Sequence, residues 1–209
     1  MENSSIGIVL IHGAGLNSAL WDDLRKAVGA PSLAIDFPNR LAGDNPNRNL
    51  SFSDYVDSVA GQIEKWKHSR FIIVAHSIGA CVGLELLSRF DREIVGFVAI
   101  GSVIPASGNS FVTSMPVPQR WIMPLILKLA GTKPPQNILE KELCNDLTPA
   151  RTQKIVREFT PESVSLYTTK ITYKIPDITR LYIKLTNDKS VSPDLQDRSA
   201  DILKLKLRQ

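Results

Sequence analysis

The sequence predicts a doubly wound α/β fold with a mostly parallel sheet, and three observations carry that prediction. Short, β-branched apolar runs (Ile6–Ile11, Phe71–Val74, Ile94–Val103) alternate with amphipathic helical patterns at intervals of about thirty residues. Each run is almost wholly apolar, as a strand covered on both faces tends to be. Two of the runs pass straight into turns of small residues, His12-Gly13-Ala14-Gly15 and Ala75-His76-Ser77-Ile78-Gly79. The right-handed crossover rule brings both turns to one edge of the sheet.

The elements follow in order. After the first strand, Asn17 to Val28 carries Leu20, Trp21, Leu24, Ala27 and Val28 at helical spacing, with Gly29 as a stop signal. Ser32–Ile35 is a short strand, and Asp36 ties down the turn after it. Residues 39–50, rich in Asn, Gly, Pro and Arg, form a surface loop. Ser53 is placed as the N-cap of an amphipathic helix built on Tyr55, Val56, Val59, Ile63 and Trp66. The apolar pattern Ala80–Leu87 follows the second small-residue turn as a helix. Prolines then crowd in, and three helical patterns (Gln119–Ala130, Ile138–Leu147, Thr148–Phe159) succeed one another without strands. Residues 1–104 therefore read as the first part of the core, 105–176 as a helical cap, and 177–209 as the second part of the core. In that last part Arg180–Thr186 is a strand, with Leu181, Ile183 and Leu185 expected to pack against helices, and Pro193–Leu205 is a helix.

Composition narrows the function. A chain of 209 residues with 43% hydrophobic and 22% charged content is an ordinary globular domain. Its net charge of +4 is spread along the chain, without the clustered stripe that nucleic-acid binding needs. No stretch is long and apolar enough to span a bilayer, and no leader pattern opens the chain, so a cytoplasmic protein with no membrane partner is expected. Cys81 and Cys144 give no disulfide framework, and Cys81 reads as a small core residue. His12-Gly13-Ala14-Gly15 lacks the spacing of either nucleotide fingerprint, and no cofactor or metal is expected.

The chemistry lies in the turns. A strand running into Ala75-His76-Ser77-Ile78-Gly79 and then a helix is the setting of a nucleophile elbow. A serine hydroxyl is a weak nucleophile and must stand clear of the sheet, within reach of a base. Alanine stands at position 75 where the commonest form of the motif has glycine. The loop after the first strand can aim the Ala14 N–H at the sheet's carboxyl edge, where it would pair with the Ile78 N–H to hold an oxyanion. His12 reads as a structural residue beneath that loop, and His68 as a solvated connector residue. Asp188, just past the last strand and in a turn closing on Pro193, either orients a catalytic imidazole or merely caps its turn. Trp121-Ile122-Met123-Pro124-Leu125-Ile126-Leu127 is either an acyl- or ring-binding wall or a helix packed on its neighbours.

Together Leu10-Ile11-His12-Gly13-Ala14, Trp21, the Ser77 elbow, Leu143-Cys144-Asn145-Asp146 and Asn187-Asp188-Lys189-Ser190 with Pro193 resemble the α/β-hydrolase fold. Within it they look like the compact branch of plant-type methyl esterases and hydroxynitrile lyases. The resemblance implies Ser77 as nucleophile (or base), Asp188 as the imidazole's partner, and Ala14 and Ile78 as oxyanion donors. In that family the imidazole follows the last strand. Here the histidines are His12, His68 and His76, none of them after Asp188. His76 is expected to turn away from the serine. The resemblance thus implies a chain lacking its last strand and triad histidine through C-terminal truncation, leaving a sheet edge open to self-association.

Two functions compete on these residues. One is hydrolysis of a small carboxylic ester through an acyl-serine, weak or absent here for want of a base, with hydroxynitrile cleavage as a variant. The other is a catalytically silent protein that binds a ligand or partner. Serine at the elbow excludes dehalogenases and epoxide hydrolases, which need a carboxylate there.

Overall fold

The computed structural model describes residues 5–40 and 45–204. Among the described residues five strands, all parallel, form one sheet in the order β2-β1-β3-β4-β5. They are β1 (Gly7–Ile11), β2 (Ser32–Ala34), β3 (Phe71–His76), β4 (Ile94–Ile100) and β5 (Thr179–Ile183). The chain winds outward from β1 to β2, then crosses back to β3. The switch point therefore lies between β1 and β3, the place where open α/β sheets bind ligands. Val9, Ile11, Phe71, Ile73, Phe97 and Ala99 have no exposed surface and form the middle of the core.

A 3₁₀ turn (Ser18–Trp21) capped by the Asn17 side chain precedes α1 (Asp22–Val28), which Gly29 ends in the left-handed conformation. Helix α2 (Phe52–Trp66) begins two residues earlier than the apolar spacing suggests. Its N-cap is Ser51, whose hydroxyl accepts from the Asp54 N–H while the Asp54 carboxylate accepts from the Ser51 N–H. This reciprocal pair satisfies two donors that a helix start leaves open, so it outcompetes Ser53. Helix α3 (Gly79–Arg89) follows β3 directly and packs on it.

Between β4 and β5 the chain is helical. A 3₁₀ turn (Val112–Ser114) leads into α4 (Gln119–Ala130). A short α5 (Gln136–Ile138) runs on into a π-helical turn (Leu139–Leu143). Then come α6 (Pro149–Glu158) and α7 (Val164–Thr168). After β5, α8 (Pro193–Lys204) packs back on that strand.

β5 corrects one expectation. Leu181 and Ile183 are 52% and 40% exposed rather than packed against helices. The strand's inward residue is Tyr182, whose hydroxyl donates to the Ser102 carbonyl at 2.6 Å. Among the described residues α8 is the helix against β5, and it leaves the alternate face in solvent.

Candidate active site

The turn after β3 is strained where a nucleophile elbow must be. Ser77 has φ +51°, a left-handed conformation that non-glycine residues adopt at a cost of about 1–3 kcal/mol. Two hydrogen bonds hold it there. Its N–H donates to the Ile100 carbonyl at the end of β4, and its carbonyl accepts from Ala80 in the first turn of α3. Gly79 makes the turn possible, because a Cβ at this position would lie 2.4 Å from the His12 carbonyl oxygen. The end of β1 thus passes directly against the elbow.

The loop after β1 closes over the serine from the other side. A Cβ on Gly13 would stand 3.0 Å from Ser77 Cβ. His12, fully buried, locks the loop from beneath: its Nδ1 donates to the Gly13 carbonyl at 2.7 Å and its Nε2 accepts from the Phe37 N–H at 3.1 Å. Since a backbone N–H can only donate, Nε2 carries no proton and the ring is neutral. Burial, with the Arg40 charge adding to it, pushes the His12 pKa down to about 3. His12 is structural. Among the described residues the N–H groups of Ala14 and Ile78 meet no acceptor, which leaves them available to a developing oxyanion.

The next residue is gripped from three directions. The Gly15 N–H donates to Glu162 Oε1 at 3.0 Å, its carbonyl accepts from the Thr160 N–H at 3.0 Å, and the Phe159 ring covers its Cα so closely that a Cβ would overlap it. Glu162, with no exposed side-chain surface, is paired with Arg40 and also accepts from Asn47 and from the Tyr55 hydroxyl. Burial, then the neighbouring Glu162 charge, raises the Tyr55 pKa. This cluster fixes the residue beside Ala14, and nothing in the sequence reading singled it out. The partners of Glu162 lie 107–147 residues from it in sequence, so no local pattern reports the cluster.

Asp188 follows β5 at the same edge. One carboxylate oxygen, Oδ1, accepts from the N–H groups of Ser190 (2.8 Å) and Val191 (3.0 Å). The other, Oδ2, has no donor among the described residues and lies 3.2 Å from where a Gly101 Cβ would be. Glycine at 101 (φ +50°) keeps that space open. Asp188 shares a cavity of about 440 Å³ with Ser77, His76, Gly101, Leu143 and Leu185. Asn145 reaches across to this loop, donating to the Asn187 carbonyl at 3.3 Å. One oxygen anchored and the other free suits a carboxylate that must orient an imidazole.

The imidazoles present do not take that position. His68 stacks on Trp66 and bonds the Ser5 carbonyl at the surface. His76 does not turn away from the site as expected: its ring lies against Gly13, and it lines both cavities that Ser77 lines. Its Nδ1 is buried without a partner. Burial lowers its pKa, partly countered by the Asp188 charge, so the ring is a poor proton acceptor. Among the described residues no imidazole nitrogen is hydrogen-bonded to Ser77. Burial likewise pushes the Cys81 thiol up to about 12, which makes it inert.

Residues 8–207 match the sequence profile of the alpha/beta hydrolase family. The chain belongs to that family. Among solved structures, an extracellular alpha/beta-hydrolase from a Paenibacillus species, described as homologous to a tobacco salicylic acid-binding protein, superposes with a TM-score of 0.82 at 20% identity, covering 95% of this chain and 86% of the other. A methylesterase from Arabidopsis (TM-score 0.71, 17% identity, 95% and 86% covered) and a pyrethroid hydrolase from Sphingobium faniae (0.70, 22%, 94% and 84%) share the hydrolase fold. A curated relative, the 2-(acetamidomethylene)succinate hydrolase of Mesorhizobium japonicum, is 27% identical over 95 residues. That match spans 44% of this chain and 34% of the relative. No helix among the described residues is long and apolar enough to cross a membrane.

Proposed function

We propose that this alpha/beta hydrolase carries a site built for hydrolysis of small carboxylic esters through an acyl-serine at Ser77. The observation that carries the reading is the strained φ of Ser77, directly beneath the Gly13–Ala14 loop and across one cavity from the free oxygen of Asp188. Ser77 Oγ would attack the ester carbonyl, and the oxyanion would sit between the N–H groups of Ala14 and Ile78. Asp188 Oδ2 would hold the imidazole that takes the serine proton and returns it to the leaving alcohol. Residues 105–176 would act as the cap: Thr132, Pro134, Ile138 and Leu139 wall a cavity of about 150 Å³ over Ser77. The substrate is a small ester-like molecule, nucleic acid is not a partner, and the cytoplasm is the proposed location. The outer edge of β5, last in the sheet order, would be the open edge for self-association.

Among the described residues no imidazole is hydrogen-bonded to Ser77 or to Asp188, so the chain by itself should turn over esters only slightly. That observation favours a second reading, a catalytically silent ligand-binding protein on the same fold. Imidazole supplied from solution separates the two. If the site is built for acyl transfer, imidazole accelerates p-nitrophenyl acetate hydrolysis beyond its own solution catalysis, and both Ser77→Ala and Asp188→Asn remove the excess. If imidazole gives no excess over its solution rate, the silent reading stands.

A further inference from the structure

Helix α4 is apolar on the side that no element among the described residues covers. Trp121, Ile122, Leu125, Ile126 and Leu129 are 69%, 49%, 58%, 46% and 77% exposed, whereas Leu127 is buried and Met123 packs on the core. At 3.6 residues per turn the five exposed side chains span roughly 140° of the helix. This exposed face is neither an acyl- or ring-binding wall nor a surface packed on neighbouring elements. A face of this kind marks an interaction site.

Charge identifies the occupant. From Ile94 to Leu139 the sequence holds no Asp or Glu, and its cations are Arg120, Lys128 and Lys133. The Arg120 guanidinium sits 5.4 Å over the Trp121 ring, and Lys128 borders Trp121 on the helix surface. The elements packed against α4, the Val112–Ser114 turn and α7, carry no charge. A two-fold contact with a second copy would set these cations against their own images with no carboxylate between them. Nucleic acid would need a cationic groove, not a broad apolar face. Apolar residues with an interfacial tryptophan and flanking cations fit a bilayer surface bearing anionic headgroups.

We propose that α4 is an interfacial docking helix, which lays its Trp121–Leu125–Leu129 face into the headgroup layer of an anionic bilayer with Arg120, Lys128 and Lys133 against the lipid phosphates. At twelve residues the helix is far too short to span, so it lies in the plane of the surface. The expectation of no membrane partner rested on the lack of a span and does not reach this mode. The segment leaving α4 walls the Ser77 cavity, so docking sets that wall beside the bilayer. The inference itself does not depend on chemistry at Ser77.

Vesicle flotation tests it, with vesicles of phosphatidylcholine alone and mixed with phosphatidylglycerol. The protein floats with the mixed vesicles, less so at high salt, and tryptophan emission shifts to the blue. Trp121→Phe keeps flotation but loses the shift, because Trp21 is buried in the core and Trp66 stacks on His68. Leu125→Asp with Leu129→Asp lowers affinity by at least about tenfold, with the melting temperature unchanged because both side chains are exposed. Arg120→Glu with Lys128→Glu removes the preference for phosphatidylglycerol. Three results overturn the proposal: no flotation of the wild type, flotation that the aspartate pair leaves intact, or a wild-type dimer that the aspartate pair dissociates without any vesicle binding.

Discussion

Glu162→Gln is the most informative change for the scaffold of the site. The substitution keeps shape and removes one charge from a pair whose side chains are 0% (Glu162) and 8% (Arg40) exposed. The Arg40 guanidinium is then left buried without its counterion, while its Nε already has no partner. Removing one member of a buried pair costs about 3–5 kcal/mol. For a chain of this size each kcal/mol lowers the melting point by about 2–4 °C, so the variant should melt roughly 6–20 °C below the wild type. Adding Arg40→Met removes the stranded cation and should recover part of the loss. Calorimetry on the wild type, both single variants and the double variant gives the coupling directly. A Glu162→Gln protein within about 1 kcal/mol of the wild type, or strictly additive losses, would show that the cluster does not hold Gly15 in the way described.

Further outcomes follow from the same contacts. Folded His12 stays neutral with a pKa near 3 against about 6.5 unfolded, so the unfolded chain binds the extra proton between those values. Its contribution is complete above about pH 6.5 and falls by about 1.4 kcal/mol per unit as the pH drops toward 3; an NMR midpoint for His12 near 6.5 in the folded protein would refute this. Gly79→Ala forces a methyl onto the His12 carbonyl and should cost on the order of 1–3 kcal/mol or more, read as a lowered melting point. Ser51→Ala removes half of the α2 capping box and should cost about 1 kcal/mol in urea unfolding; no change would mean that Ser53 takes over the cap.

Sequence reading recovered what local pattern encodes. The strands β1 and β4 and the Phe71–Ala75 part of β3 are apolar because both faces are covered, and α4 begins and ends where the pattern places it. The elbow was legible because Ala75, Ser77 and Gly79 satisfy a steric rule spanning five residues. What failed depends on partners. Glu162 sits between Pro161 and Ser163 with no periodicity around it, and only the folded chain brings Arg40, Asn47, Tyr55 and Gly15 to its oxygens. Leu181 and Ile183 read as packed because a strand interior usually is, and β5 exposes them because α8 covers it only in part. The N-cap of α2 was missed for a different reason. Apolar spacing starts at Tyr55, whereas the Ser51–Asp54 pair and buried Phe52 extend the helix further back.

That Ser77 adds little to catalysis without an imidazole is the central claim, and the rate of p-nitrophenyl acetate hydrolysis by the wild type and Ser77→Ala, measured side by side without added imidazole, tests it most directly. Members of a triad act as a unit, so a serine without its base contributes little beyond what the oxyanion donors and binding supply, about 10³–10⁴-fold over water. The two proteins should therefore show the same slow turnover. A wild-type rate on the order of 1 s⁻¹ or faster that Ser77→Ala abolishes would mean that another group, His76 foremost, already serves as the base.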